Sequence, residues 1–140
     1  MLEKEVVTSM RKIIPLLWIA IALTGCQSQN MAIDHGNEID AIEISESSGF
    51  GGMNENFSMS FEDSENIEVF LTLMENATEE DVDINAPDYD MKITYEDGAN
   101  KGIHLSQHEE QIVLMFIGHE EDTYISTPED SEKVENLIHP

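Results

Sequence analysis

Apolar residues alternate with polar ones through several short stretches of this chain and switch to helical spacing in two others. Residues 39–45 read as a first strand, and residues 56–61 alternate with Phe57, Met59 and Phe61 on one face. The glycine-rich residues 47–52 connect them as a hairpin. Over residues 65–75 the period changes: Ile67, Phe70, Leu71 and Met74 recur three and four apart, and Asp63 or Ser64 is placed to cap that helix. Past an acidic loop, Tyr89, Met91, Ile93 and Tyr95 alternate, Asp97-Gly98 marks a turn, and Ile103 and Leu105 lie on the returning strand.

The run Ile112-Val113-Leu114-Met115-Phe116-Ile117 has no polar break and suits a central strand. Turns are expected around His108 and across residues 119–122, and a short strand over residues 123–126. Thr127 then caps a second helix with Pro128 at its first position and Val134, Leu137 and Ile138 facing inward. The fold class is α+β: a small antiparallel sheet of about five to six strands, a meander in its C-terminal half, with two amphipathic helices on one face and solvent on the other.

The first residues follow a different pattern. Arg11 and Lys12 precede an uncharged apolar stretch over residues 13–23, which leads to Leu23-Thr24-Gly25-Cys26. Eleven apolar residues interrupted by Pro15 are too few for an ordinary membrane span, and fit the core of a signal peptide. The tetrad reads as a lipobox. It implies modification of Cys26, the sole cysteine, by a diacylglyceryl transferase, cleavage before it by signal peptidase II, and anchoring on the extracytoplasmic face of the cell membrane. An uncleaved anchor, or a buried thiol with an accidental small neighbour, is the alternative. Glu3 and Glu5 dilute the positive start, whereas a chain beginning at Met10 would open on Arg11 and Lys12, so translation is expected from Met10. The resulting organisation is a signal peptide over residues 1–25, a lipidated cysteine with a flexible tether over 26–36, and one domain over 37–140.

Charge narrows the partners. Beyond residue 25 only Lys92, Lys101 and Lys133 stand against 28 carboxylates, a net charge of −25. Such a surface repels nucleic acid and anionic lipid heads, since both are bound by cations. Ile, Leu, Val and Phe make up 26 of the last 115 residues, above the level at which an acidic chain stays unfolded. With no second cysteine, stability has to come from the core.

Several local words resemble the YhfM-like domain of small lipoproteins in spore-forming Gram-positive bacteria. They are Pro87-Asp88-Tyr89-Asp90-Met91-Lys92-Ile93-Thr94-Tyr95, Asp97-Gly98, Ile103-His104-Leu105, and Thr123-Tyr124-Ile125-Ser126 before an acidic C-terminal helix. The resemblance implies a lipid anchor and an extracytoplasmic location, and brings no activity, cofactor or site residue with it.

Candidate chemistry is sparse. Asp81, Asp83 and Asn85, with Asp88 and Asp90, approach a calcium loop, but Ala86 stands where the sharp turn needs glycine and Lys92 where a bidentate glutamate belongs, so the segment reads as a solvated loop. His104, His108 and His119 lie on or beside neighbouring strands and could meet as a zinc site. His104 alternates out of phase with Ile103 and Leu105, which puts it on the solvated face, and the other two fall in turns, so surface histidines are expected. Residues 47–52 lack the lysine and following helix of a phosphate loop. No serine carries a nucleophile-elbow frame and no acidic pair stands out, so no catalytic residue, metal or cofactor is expected. The first function to consider is an accessory or binding module whose sheet face around Lys92, Thr94 and His104 meets an envelope protein or cell-wall component; the alternatives are a hydrolase of envelope polymers with unidentified carboxylates, or a weak divalent-cation-binding surface protein.

Overall fold

The computed structural model describes residues 29–140, in which the alternating segments become seven strands and the periodic ones two helices. In chain order these are β1 (Ile39–Glu46), β2 (Met59–Phe61), α1 (Ser64–Asn76), β3 (Thr78–Glu79), β4 (Tyr89–Tyr95), β5 (Asn100–His108), β6 (Gln111–Phe116), β7 (His119–Ile125) and α2 (Pro128–Ile138). The sheet is antiparallel throughout, in the order β2-β1-β4-β5-β6-β7-β3. β1 and β4 are neighbours although β2, α1 and β3 separate them in sequence. α1 therefore carries the chain across one face, from the β2 edge to the β3 edge.

Local signals set the helix ends. Asp63 accepts from the Asn66 amide at the start of α1, and Thr127 accepts from the Asp130 amide ahead of Pro128 at the start of α2. Ile67, Phe70, Leu73 and Met74 of α1 and Val134 and Ile138 of α2 pack onto Ile42 and Ile44, Met91 and Ile93, Ile103 and Leu105, and Ile112 and Leu114, one alternate set from each of four strands. Phe61 and Phe70 stack at 5.1 Å between centroids, closing the core towards the β2 edge.

The α+β expectation holds, and the structure differs from the remaining expectations in five places. The sheet has seven strands rather than five or six, because two-residue β3 pairs with β7 in a segment read as loop. Residues 119–122 extend β7 instead of turning, and the turn is taken at Gly118 with φ 95°. Phe57 leaves the Met59 and Phe61 face and sits under the Lys92 ammonium, 5.8 Å from its ring centre. Residues 29–31, read from the sequence as part of a tether, join the fold: Asn30 bridges Thr78, the Glu79 amide donates to the Gln29 carbonyl, and Met31 is buried in the core.

The fifth difference concerns the face away from the helices, which is covered rather than bare across its middle. Residues 47–58 fold back over β4 and β5, and the Val82 amide bonds the Thr123 hydroxyl, bringing the acidic segment over β7. Val113 and Met115, the alternate members of the apolar run, are buried there.

Candidate functional site

The most unusual group under this cover is an ionisable pair with no exposure. Asp90 of β4 and His104 of β5 are directly opposed, and His104 Nδ1 lies 2.6 Å from Asp90 Oδ1 with both side chains 0% exposed. The other carboxylate oxygen, Oδ2, accepts from the Asn54 amide at 2.8 Å, and Ser45 in β1 donates to the Asn54 carbonyl. The glycine-rich segment thus shapes the cover over this pair. Gly49 (φ 110°) and Gly51 (φ 99°) take left-handed turns that lay Phe50 edge-on against His104, 5.7 Å between centroids.

With both oxygens of Asp90 accepting, the proton of the imidazole is held on Nδ1 and the free position is Nε2. Nε2 is buried and makes no hydrogen bond, although Glu120 Oε1 of β7 stands 3.4 Å away. The Gly118 amide, donating at 3.0 Å, holds the Glu120 carboxyl below its ordinary range, and the neighbouring His104 ring adds to the effect. Glu120 reaches outward as well, lining a cavity of about 410 Å³ with Phe50, Asp81, Asp83 and Glu121.

A larger cleft, about 520 Å³, opens at the end of the sheet where β4 and β5 meet the C-terminus of α2. Leu105, Ile112 and Ile138 form its floor, and Glu46, Asp88 and Glu135 stand around it. Tyr89 and His139 meet across it with 2.9 Å between the phenol oxygen and Nε2. Burial first, then the charges of Asp88, Glu46 and Glu135, push the Tyr89 phenol above its ordinary range.

The residues singled out in the sequence fall apart in space. Asp90 is the partner of His104, Asp88 is occupied by the Gln107 amide, and Asp81, Asp83 and Asn85 are exposed, so the calcium candidate is not assembled as a loop. His104 is fully buried, contrary to the expectation of a surface histidine, because residues 47–58 cover it; His108 is half-buried and His119 exposed. Among the described residues no three His, Asp or Glu side chains converge to hold an ion by themselves. Leu23, Thr24, Gly25 and Cys26 lie outside the described residues. The Asp90 and His104 pair escaped sequence reasoning because its two members are fourteen positions apart and only the β4–β5 register joins them.

Against known proteins, the family described as YhfM protein matches residues 36–139, the whole sheet and both helices. The chain belongs to the YhfM family. No curated protein and no solved structure matches it.

Proposed function

We propose that this YhfM-family chain is an extracytoplasmic binding module, anchored to the cell membrane through a lipid on Cys26, and that its sheet-end cleft receives a cationic segment of an envelope partner. The observation that carries the binding reading is the pairing of an apolar floor, Leu105, Ile112 and Ile138, with three carboxylates, Glu46, Asp88 and Glu135, in one cleft. A lysine or arginine side chain matches both halves: its methylene stem covers the floor while its charge meets the rim. The half-buried face around Lys92 and Thr94 is a poorer candidate now that His104 is sealed beneath Phe50 and Phe57 sits against Lys92.

The address rests on the order of a basic start, an apolar run and the Leu23-Thr24-Gly25-Cys26 tetrad. On this reading a diacylglyceryl transferase and signal peptidase II process the precursor, and two acyl chains supply stable anchoring where one would not. No helix among the described residues is long and apolar enough to cross a membrane. The hydrolase reading, with its unidentified carboxylates, has no comparable arrangement supporting it among the described residues.

Two experiments test the two halves separately. A clickable fatty acid fed to cells should label the wild-type chain and not Cys26→Ala; equal labelling refutes the anchor. A short peptide of alternating lysine and leucine should bind the full chain in neutral detergent and lose most of its affinity to a Glu46→Gln and Glu135→Gln double variant. Unchanged affinity refutes the cleft.

A further inference from the structure

We propose that His104 Nε2 and the Glu120 carboxylate are the two protein ligands of an exchangeable site for a zinc-type divalent cation, with Asp90 as the positioning residue behind the imidazole. The site is separate from the cleft and does not depend on the lipid anchor.

An orphaned buried nitrogen is the first ground. Buried polar groups are nearly always satisfied, yet His104 Nε2, on a side chain with no exposure, makes no hydrogen bond among the described residues and has only the Glu120 carboxylate near it. Orientation is the second. Asp90 Oδ1 lies 2.6 Å from Nδ1, so an Nδ1–H donating to it leaves the lone pair on Nε2, facing Glu120, the arrangement of a metal-binding histidine backed by a carboxylate.

Spacing is the third ground. Nε2 and Glu120 Oε1 are 3.4 Å apart without forming a hydrogen bond. Bonds of about 2.0–2.2 Å from one tetrahedral ion to a histidine nitrogen and a carboxylate oxygen put those two donor atoms roughly 3.3–3.5 Å apart. Access is the fourth. Glu120 lines the cavity of about 410 Å³ that also holds Asp81, Asp83 and Glu121, whose charges draw cations towards the outer side of the Glu120 carboxylate.

The mixed donor set selects the ion. An imidazole nitrogen suits zinc and its transition-metal neighbours, whereas calcium and magnesium prefer oxygen alone. Two protein ligands completed by solvent make the ion exchangeable rather than a structural centre. The competing arrangement is an imidazolium held between Asp90 and Glu120, with a proton where the metal would be.

The full chain in neutral detergent, stripped with a chelator and titrated with zinc chloride, distinguishes the two when the histidine ring nitrogens are followed by NMR. The His104 Nε2 resonance should move with zinc, return when the chelator is restored, and ignore calcium at equal ionic strength. Glu120→Gln, a change at a partly exposed hairpin position, should weaken zinc binding at least about tenfold, and Glu68→Gln, exposed on α1 across the sheet, should leave it unchanged. Asp90→Asn offers an amide to Nδ1 and so moves the ring proton to Nε2; the ring spectrum should report that tautomer while affinity falls about 10- to 100-fold. The proposal is overturned if zinc leaves His104 Nε2 in place while shifting exposed histidines, if calcium moves it equally, or if Glu120→Gln and Glu68→Gln behave alike.

Discussion

Truncating Asp90 should cost this domain a large part of its stability. The carboxylate accepts two hydrogen bonds, from His104 Nδ1 at 2.6 Å and from the Asn54 amide at 2.8 Å, and it is 0% exposed. Asp90→Ala strands both donors where water does not reach. Each unsatisfied buried donor costs about 1–3 kcal/mol, so the pair costs roughly 2–6 kcal/mol. Against a total of about 5–15 kcal/mol for a domain, that is near half, and at about 4 °C per kcal/mol for a chain of this length the melting temperature should fall by roughly 10–25 °C.

Asp90→Asn should be much milder, about 1 kcal/mol, since its amide oxygen can accept from Asn54 while its nitrogen donates to the opposite tautomer of His104. Urea unfolding of residues 27–140, followed by circular dichroism, measures both variants. Combining Asp90→Ala with His104→Ala in a double-mutant cycle isolates their coupling. Freed of the Asp90 bond to Asn54, residues 47–58 should also exchange their amide protons faster in Asp90→Ala than in the wild type. A loss below about 1 kcal/mol for Asp90→Ala, at unchanged denaturant dependence, would show that the pair is not the anchor of the second face.

Three further outcomes follow from the same structure. Met31→Ala should cost about 2–3 kcal/mol in the same assay, because Met31 is 5% exposed within the core; no change would return residues 29–31 to the tether. The Glu38 carboxylate beside Glu96 holds the Glu96 carboxyl above its ordinary range, so the folded state binds that proton more readily than the unfolded chain and this pair costs stability once pH rises past the folded value. Glu96→Gln should therefore melt higher than wild type at neutral pH and match it below the ordinary glutamate range; equal melting at neutral pH contradicts this. Raising sodium chloride from tens to hundreds of millimolar should raise the melting temperature, since carboxylates outnumber cations heavily and Lys133 with Glu129 is the one lysine–carboxylate ion pair among the described residues. A flat or falling melt would refute repulsion as the limiting term.

The helices and the helix-facing half of the sheet were legible because each residue's neighbours carry the signal. Asp63 and Thr127 mark the caps, and Tyr89, Met91, Ile93 and Tyr95 alternate without interruption. The second face was harder to read. Residues 47–58 contain little apolar pattern, and what they do is fixed largely by contacts outside the segment, among them Asn54 to Asp90, Ser47 to Asp88, and Phe50 to His104. One local signal was present. A run as continuous as Ile112-Val113-Leu114-Met115-Phe116-Ile117 implies cover on both faces of β6, and Val113 and Met115 are buried accordingly. β3 has only two residues, fewer than any period needs to show itself.

The shortened tether links the fold to its proposed address. Two residues, Gln27 and Ser28, separate Cys26 from Gln29, whose carbonyl already bonds the Glu79 amide at the β3 edge. Three peptide steps span at most about 11 Å when extended. If Cys26 carries the proposed lipid, so short a connection would keep the β3 edge close to the membrane surface, where a ten-residue linker would let the domain swing away. Glu79 and Glu80 in and after β3, with Glu75 near the end of α1, would then bring negative charge towards anionic head groups that repel it. Repulsion over so short a distance would favour an upright domain over one lying flat.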